Sequence, residues 1–173
     1  MAATYSLISS NVLSTTAASV TFSAIPSTYT DLVLRVSART DLAGNNYDFF
    51  TVAINGTTST YSGTWLAGTG SAVFSGRNTA DPYLTRAGYS DAATATSSTF
   101  SSVEIYFPNY TASSQKPSSS FWVTENNATA SIAGANAGLW SGTSAITSLT
   151  MVPYTSSNFV SGSSFYLYGI KNS

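Results

Sequence analysis

Carboxylates are the side chains through which this sequence could do acid–base chemistry, because it contains neither histidine nor cysteine. Glycoside cleavage, for example, needs two carboxyl groups roughly 5 to 10 Å apart. Most of the acids, however, fall in turns or at strand ends, where aspartate commonly bonds nearby backbone amides: Asp31, Asp41, Asp48, Asp81 and Asp91. Glu104 alternates outward from its apolar neighbours, as a solvated strand residue does. We therefore predict no catalytic residue and no enzyme, with a small carbohydrate-active enzyme using Glu104 and Glu125 as a minor alternative.

A second chemical possibility is a metal loop in "DLAGNNYD", residues 41 to 48. Asp41, Asn45, Asn46 and Asp48 carry the kind of oxygen atom that calcium prefers. Their spacing matches no specific calcium loop, and a plain polar turn explains the same composition. Glycines elsewhere do not form a phosphate-binding loop between a strand and a helix. We predict no metal site and no cofactor, with calcium at residues 41–48 as an open alternative.

Aromatic side chains offer binding rather than catalysis. Trp65 and Trp140 lie in the Gly/Ser/Thr-rich stretches "SGTWLAG" and "GLWSGTS", which favours a partner-facing role for both. The partner could be a protein surface or the C–H face of a sugar ring, and we favour protein. Trp122 stands between two apolar neighbours and is predicted to be a core residue.

The stretch "SFYLYGIKNS" at the end of the sequence predicts a strand that is apolar on both sides. One side carries Phe165, Leu167 and Gly169, and the other carries Tyr166, Tyr168 and Ile170. The first side can fill the protein's own core. The second needs a cover, for which a neighbouring subunit, the N-terminal segment and the long loops are the alternatives. Tyr166, Tyr168 and Ile170 are therefore candidate interface residues.

Alternation of apolar and polar residues predicts the elements that carry these side chains. In "DLVLRVSART", residues 31–40, the leucines and every second residue after them point one way. Further strands are expected at 4–9, 19–24, 47–54, 100–107, 119–124, 146–152 and 164–171, and weaker ones near 72–75, 82–86 and 129–133. Without helical periodicity between them, the strands predict one all-β domain, residues 1–173, built as an antiparallel two-sheet β-sandwich, of which the jelly roll is one arrangement.

Turn and loop signals connect these strands. Asn55-Gly56 predicts a two-residue hairpin followed by a strand that returns beside residues 47–54. Residues 67–82, 87–99 and 109–120 are predicted as loops, which at such lengths usually serve function or a partner.

The composition restricts the partners. Charged residues make up 8% of the chain, while serine and threonine together make up about a third. Six basic residues spread singly along the chain provide no stripe for phosphates, so nucleic acid is not an expected partner. The sequence has no 18-residue apolar run and no signal-like start, so we expect a soluble protein without a membrane partner. Uncharged polar surfaces suit extended contact, because little strongly bound water must be removed. The same composition is also explained by the preference of threonine and tyrosine for strands and of serine for loops, and both interpretations stay open.

The opening "TYSLISSNVLSTTAASVTFSAIPSTYTDLVLRVSAR" and the closing "FYLYGIKNS" together resemble small virion structural proteins of tailed bacteriophages, of the head-decoration, capsid-cement or tail-fibre type. The resemblance covers roughly the first forty and the last ten residues. It implies a non-enzymatic β-sandwich that is made in the host cytoplasm and assembles on the virion in multiple copies. The expected partners are the major capsid protein or tail proteins, and the expected homo-oligomer is a trimer. The leading expectation is a decoration protein that braces the head; the alternative is a tail-fibre or receptor-binding module that contacts a host glycan.

Overall fold

The computed structural model describes residues 4–127 and 130–171, and these form twelve β-strands without a helix. The strands are β1 (Tyr5–Val12), β2 (Val20–Phe22), β3 (Asp31–Ser37), β4 (Tyr47–Ile54), β5 (Tyr61–Gly68), β6 (Val73–Asp81), β7 (Leu84–Asp91), β8 (Ser102–Phe107), β9 (Lys116–Val123), β10 (Ala133–Trp140), β11 (Leu149–Pro153) and β12 (Ser164–Ile170). The predicted all-β sandwich is confirmed, although both ends of the predicted range 1–173 lie outside the described residues.

Two sheets make up the sandwich, and all of their strand pairs are antiparallel. The large sheet has eight strands in the order β1-β12-β3-β8-β9-β10-β5-β6, and the small sheet has four in the order β2-β11-β4-β7. Within this frame β1 pairs with β12, β2 with β11, β3 with β8 and β4 with β7. Such nested pairing, with the chain passing from sheet to sheet, is the jelly-roll arrangement.

Four strands extend the large sheet beyond this jelly-roll frame. They are β9, β10, β5 and β6, in that spatial order, and we call them the wing. The small sheet has only four strands and ends at β7, so the eight-stranded large sheet extends beyond it at the wing. The inner side of the wing is therefore closed partly by side chains from the edge of β7.

The core lies between the two sheets and follows from alternation along the strands. In β3, Leu32, Leu34 and Val36 are buried while Arg35 between them is exposed, as predicted. Trp122 is fully buried, which confirms its predicted core position. Other fully buried large side chains include Phe50, Ile54, Tyr61, Ile105, Phe107, Tyr110, Lys116, Phe159 and Phe165.

The predicted hairpin at Asn55-Gly56 is wrong, although its turn forms. Both residues have positive φ, 53° and 67°, and the Thr57 amide donates to the Ile54 carbonyl at 3.0 Å. The chain then leaves the small sheet, because β5 pairs with β6 and β10 and not with β4. The Asn55 side chain is used instead by the segment before β11, where its Oδ1 accepts from the Thr147 and Ser148 amides.

Three predicted loops are also shorter than expected. Most of residues 67–82 form β6, residues 87–91 complete β7, and residues 116–120 begin β9. The weak strand predicted at 129–133 begins outside the described residues, since residue 129 is not among them, and β10 starts at Ala133. Glycine and alanine dominate β10, so sequence propensity gives little indication of a strand there.

Candidate functional site

The outer face of the large sheet, which points away from the small sheet, is the most extensive candidate surface. One row of side chains crosses it in register from β12 to β6: Tyr166, Arg35, Glu104, Phe121, Ala135, Leu66 and Ser75. Neighbours in such a row lie about 5 Å apart, so they form one continuous surface. The predicted interface residue Tyr166 is part of this row.

Large apolar side chains remain exposed on this face. Phe121 is 57% exposed, Leu66 58% and Val73 84%. At the opposite edge of the sheet, Tyr5 and Leu7 are also about half exposed. Of the eight large apolar side chains exposed among the described residues, seven lie on strands of the large sheet. Single exposed apolar residues need no explanation, but a concentration on one sheet indicates a contact surface.

The aromatic side chains of β12 lie beside β1 on the same face. The Tyr168 ring meets the Tyr5 ring edge-on, with their centroids 6.4 Å apart. Val33 stands between Tyr168 and Tyr106 in the register and is buried by its neighbours, although it points outward. The N-terminal strand thus lies next to the terminal strand and does not cover it.

Ile170 and Trp140 do not have the exposure predicted for interface residues. Ile170 is only 8% exposed, because it lies at the end of β12 between β1 and β3. Trp140 is 3% exposed, since alternation along β10 turns it into the core in register with Tyr61 and Lys116. Its ring also packs against Gly142, where any side chain would collide with it. The surrounding Gly/Ser-rich sequence permits this close packing and does not indicate exposure.

Trp65 lies on the inner side of the wing and is half-buried. Its ring packs on Gly76 of β6, where a Cβ atom would come within 2.7 Å of the ring. The Arg86 guanidinium lies over the ring, 4.5 Å from its centroid, and 4.6 Å from the centroid of Phe49 on its other side. Arg86 also donates to the Tyr89 hydroxyl at 2.7 Å. Trp65 thus belongs to an aromatic cluster around a cation rather than to the outer face.

The charge on the outer face is small and largely balanced. Arg35 and Glu104 face each other across β3 and β8 and form an ion pair of 2.8 Å, with about half of each side chain exposed. No other salt bridge occurs within the described part of the chain. An exposed pair of this kind contributes little to folding, about 0 to 1 kcal/mol. It can, however, exchange partners with a docking surface.

The acidic residues are occupied by local contacts. Glu104 is ion-paired, and Glu125 accepts from the Asn127 amide and the Ser131 hydroxyl. Asp48 is buried and accepts from the hydroxyls of Thr40, Thr155 and Ser157. Neither the Glu104–Glu125 alternative nor any other pair gains support from these contacts.

The segment 41–48 does not gather its oxygen ligands at one point. Asp41 accepts from the backbone amide and the side-chain amide of Asn158, which lowers the pKa of this carboxyl. Asn46 Oδ1 accepts from Thr94, while the Asn45 amide donates to the Ala43 carbonyl. Among residues 4–127 and 130–171 there is no group of three or more acidic, histidine or cysteine side chains placed to hold a metal ion.

Two residues were not singled out by the sequence analysis: Phe121 on the outer face and Arg86 in the aromatic cluster. Phe121 adjoins Trp122 in a strand, so one of the two has to point outward, and this signal is readable in "SSFWVT". Arg86 carries no such signal, because its place between two rings depends on strands that are distant in sequence.

Comparison with known proteins adds no relationship: no family model, curated protein or solved structure matches this chain. Within the described residues, no helix is long and apolar enough to cross a membrane.

Proposed function

We propose that this protein is a non-enzymatic structural protein that assembles in multiple copies through the outer face of its large sheet, in the manner of a bacteriophage head-decoration protein. The observation that carries the proposal is the concentration of exposed apolar side chains on that face, with Phe121, Leu66 and Val73 as its clearest members. The opening and closing sequence segments, which resemble those of phage virion proteins, supply the virion context.

The size of the outer face supports association. Eight strands about 4.8 Å apart and seven to eight residues at about 3.3 Å each span roughly 34 by 25 Å, or about 850 Å². A stable protein interface buries about 800 Å² per partner. One docked copy or shell protein could therefore cover the whole face.

The chemistry of the face supports the same interpretation. Its charged residues are Arg35, Glu104, Arg77 and the buried Asp31. Arg35 and Glu104 form an ion pair, and Asp31 accepts from the Tyr106 hydroxyl. The remaining positions are mostly aromatic, aliphatic, alanine or serine. Interface cores are depleted of charge and enriched in aromatic residues in this way, because charges are costly to desolvate. We expect other copies of this chain as the first partner, in a trimer, and the head shell as the second.

The test is the oligomeric state together with the position in the particle. Light scattering should give a mass of three times the 18.0 kDa of one chain for the wild type. Phe121→Asp and Leu66→Asp should shift this mass toward the monomer. Tyr154→Asp is the matched control, because Tyr154 is equally exposed, 56%, but lies outside the large sheet. A wild-type chain that stays monomeric, or Asp variants that associate as the wild type does, would contradict assembly through this face.

Electron cryo-microscopy of intact particles tests the virion context separately. Many copies on the head would agree with decoration, and copies confined to the tail would favour the tail-fibre alternative. That alternative has one favourable observation, the aromatic cluster around Arg86, since receptor-binding modules need a ligand site on a rigid scaffold. Absence of the protein from every particle would reject both virion roles.

A further inference from the structure

We propose that the cavity beside Arg86 binds a single sugar ring that carries a carboxylate group. The cavity lies between the start of β4 and the middle of β7, away from the outer face of the large sheet. Its occupation is therefore independent of the association proposed above, and variants at the two places can be told apart.

The cavity is small and has mixed walls. Its volume is about 270 Å³, and Tyr47, Phe49, Asn45, Thr155 and Arg86 are among the residues that line it. Pockets for small molecules usually start at about 300 Å³, so this one suits a ligand of one ring. Aromatic walls with a few polar groups are suited to a ligand that has both a C–H face and hydroxyl groups.

Arg86 is held in place before any ligand arrives. Its guanidinium lies between the rings of Phe49 and Trp65, at 4.6 and 4.5 Å from their centroids. Its backbone has a φ of 55° and lies in the bulge of β7 between Leu84 and Gly88, so the bulge sets the direction of its side chain. The Asn136 amide fixes this backbone by donating to the carbonyls of Thr85 and Arg86, at 2.8 and 3.0 Å.

In the described part of the chain, Arg86 uses fewer of its N–H donors within the protein than the basic residues Arg39 and Lys116 do, and it has no acidic partner as Arg35 has. Arg35 pairs with Glu104, Arg39 donates to carbonyls of the 93–99 segment, and Lys116 donates to three carbonyls. The Arg86 guanidinium makes one hydrogen bond within the described residues, to the Tyr89 hydroxyl. A guanidinium has five N–H donors, and its planar edge matches a carboxylate. The Nε–H group is buried without a partner among residues 4–127 and 130–171, so an acidic ligand would meet the remaining N–H groups of Nη1 and Nη2.

The neighbouring aromatic rings provide the surface for the sugar's C–H face. Tyr47 and Tyr89 line the cavity with their ring centroids 5.9 Å apart, and Tyr47 is only half-buried, so part of its ring is open to a ligand. Asp48 also lines the cavity, and its Oδ2 accepts from the Thr155 and Ser157 hydroxyls, which occupy this oxygen without cancelling its formal charge. A ligand carboxylate would therefore be recognised by the N–H donors of Arg86 and not by a net positive charge of the cavity.

Paired sugars test the proposal directly. Titrations followed by NMR would compare methyl glucuronide with methyl glucoside, which share the ring and differ in the carboxylate. Methyl galacturonide and N-acetylneuraminic acid extend the acidic set. We expect at least one acidic sugar to bind with a millimolar Kd, to perturb the Trp65 indole signal, and to bind about tenfold or more tighter than the glucoside, as expected for a charge-assisted hydrogen bond.

Two variants then separate the contribution of the Arg86 charge to sugar binding from the contribution of an aromatic ring. Arg86→Gln should abolish the preference for the acidic sugar, and Tyr47→Ala should weaken both classes of sugar, because Tyr47 lines the cavity. Phe121→Ala is the control, because Phe121 is also an accessible aromatic residue but lies on the outer face, away from the cavity. If Arg86→Gln fails to fold, Arg86→Lys and the titrations of the wild type still test whether the cavity binds an acidic sugar. Failure of all acidic sugars to bind, or binding that does not perturb Trp65, would overturn the proposal.

Discussion

The two faces of the large sheet are built from the same strands, but one face packs against the small sheet and the other is exposed. Trp122 and Phe121 are neighbours in sequence; Trp122 is fully buried against the small sheet, and Phe121 is 57% exposed on the other side. The inner face obtains its cover from the chain's own second sheet and from the edge of β7. The outer face has no such cover within the described residues. Apolar side chains therefore contribute to folding on one face and remain exposed on the other, where we propose that they serve association.

Truncation of Trp122 should give the largest effect of any single change. The side chain is fully buried and its ring stacks on Tyr89 with centroids 5.3 Å apart. We expect Trp122→Ala to lower the free energy of unfolding by about 3 to 5 kcal/mol, which urea denaturation would measure. Trp122→Phe should cost less, because it keeps an aromatic ring and removes a buried N–H that lacks a partner. If Trp122→Ala lowers the free energy of unfolding by less than about 1 kcal/mol, the proposed difference between the two faces is contradicted.

Truncation of Phe121, one residue earlier, should weaken self-association and leave the free energy of unfolding nearly unchanged. Phe121→Ala is expected to change the free energy of unfolding by less than about 0.5 kcal/mol, as is usual for exposed positions. Combined with Leu66→Ala, it should weaken self-association about tenfold or more, as loss of central interface residues does. Sedimentation velocity over a dilution series measures the second effect. Equal association of the double variant and the wild type would place the interface elsewhere.

Several buried polar atoms in the described part of the sandwich lack a hydrogen-bond partner, and those at Asp91 and Asn126 form a polar defect that pH-dependent unfolding can detect. Asp91 is fully buried; its Oδ1 accepts from the Asn126 amide at 3.2 Å, while its Oδ2 and the Asn126 Oδ1 lack partners. Burial raises the pKa of Asp91 above its ordinary value of 3.8. The native state therefore binds more protons than the unfolded state. The contribution of this group to stability rises as the pH falls from the raised pKa toward 3.8.

Replacement of the carboxyl by an amide should remove this defect. We expect Asp91→Asn to stabilise the protein at pH 7 by about 1 kcal/mol, because an amide N–H can donate to Asn126 Oδ1. The gain should shrink as the pH falls, since the wild-type carboxyl becomes protonated. Thermal unfolding of both proteins between neutral and acidic pH measures this. A variant that is less stable at every pH would mean that the charged form of Asp91 is favourable.

The ion pair on the outer face should give the smallest effect on folding. A double-mutant cycle on Arg35→Ala and Glu104→Ala is expected to yield a coupling of about 0.2 to 1 kcal/mol, which salt should reduce. If assembly buries the pair, the same cycle measured on association should give a larger coupling. Similar coupling in both measurements would place the pair at the rim of the interface.

Sequence reasoning reached the architecture because alternation is a local property. The residues of β3 and β12 follow it closely, and the two-sheet sandwich follows from the number of strands and the lack of helices. Strand pairing was less accessible, as Asn55-Gly56 shows: the turn has the predicted backbone, but the chain after it joins the other sheet. A turn fixes local geometry, whereas the partner of a strand depends on packing distant in sequence.

The candidate site was harder still to predict. Tyr166 and Tyr168 lie on the outer face as expected, because two apolar sides of one strand cannot share one core. Trp140 was misjudged because its small neighbours indicate close packing as readily as exposure. Arg86 could not have been found from the sequence, since its role depends on rings that β4 and β5 bring to either side of it.

The nested pairing of the jelly roll also constrains when the protein can fold. β12 lies between β1 and β3, with Tyr5 opposite Ile170, so β1 cannot join the large sheet until the last of the twelve strands has left the ribosome. Until then the apolar sides of β1 and β3 have no neighbour of their own chain between them. We expect folding to begin late and to proceed slowly, because every such pairing closes a long loop. During synthesis in many copies, unfinished chains would therefore be the species most prone to join each other wrongly.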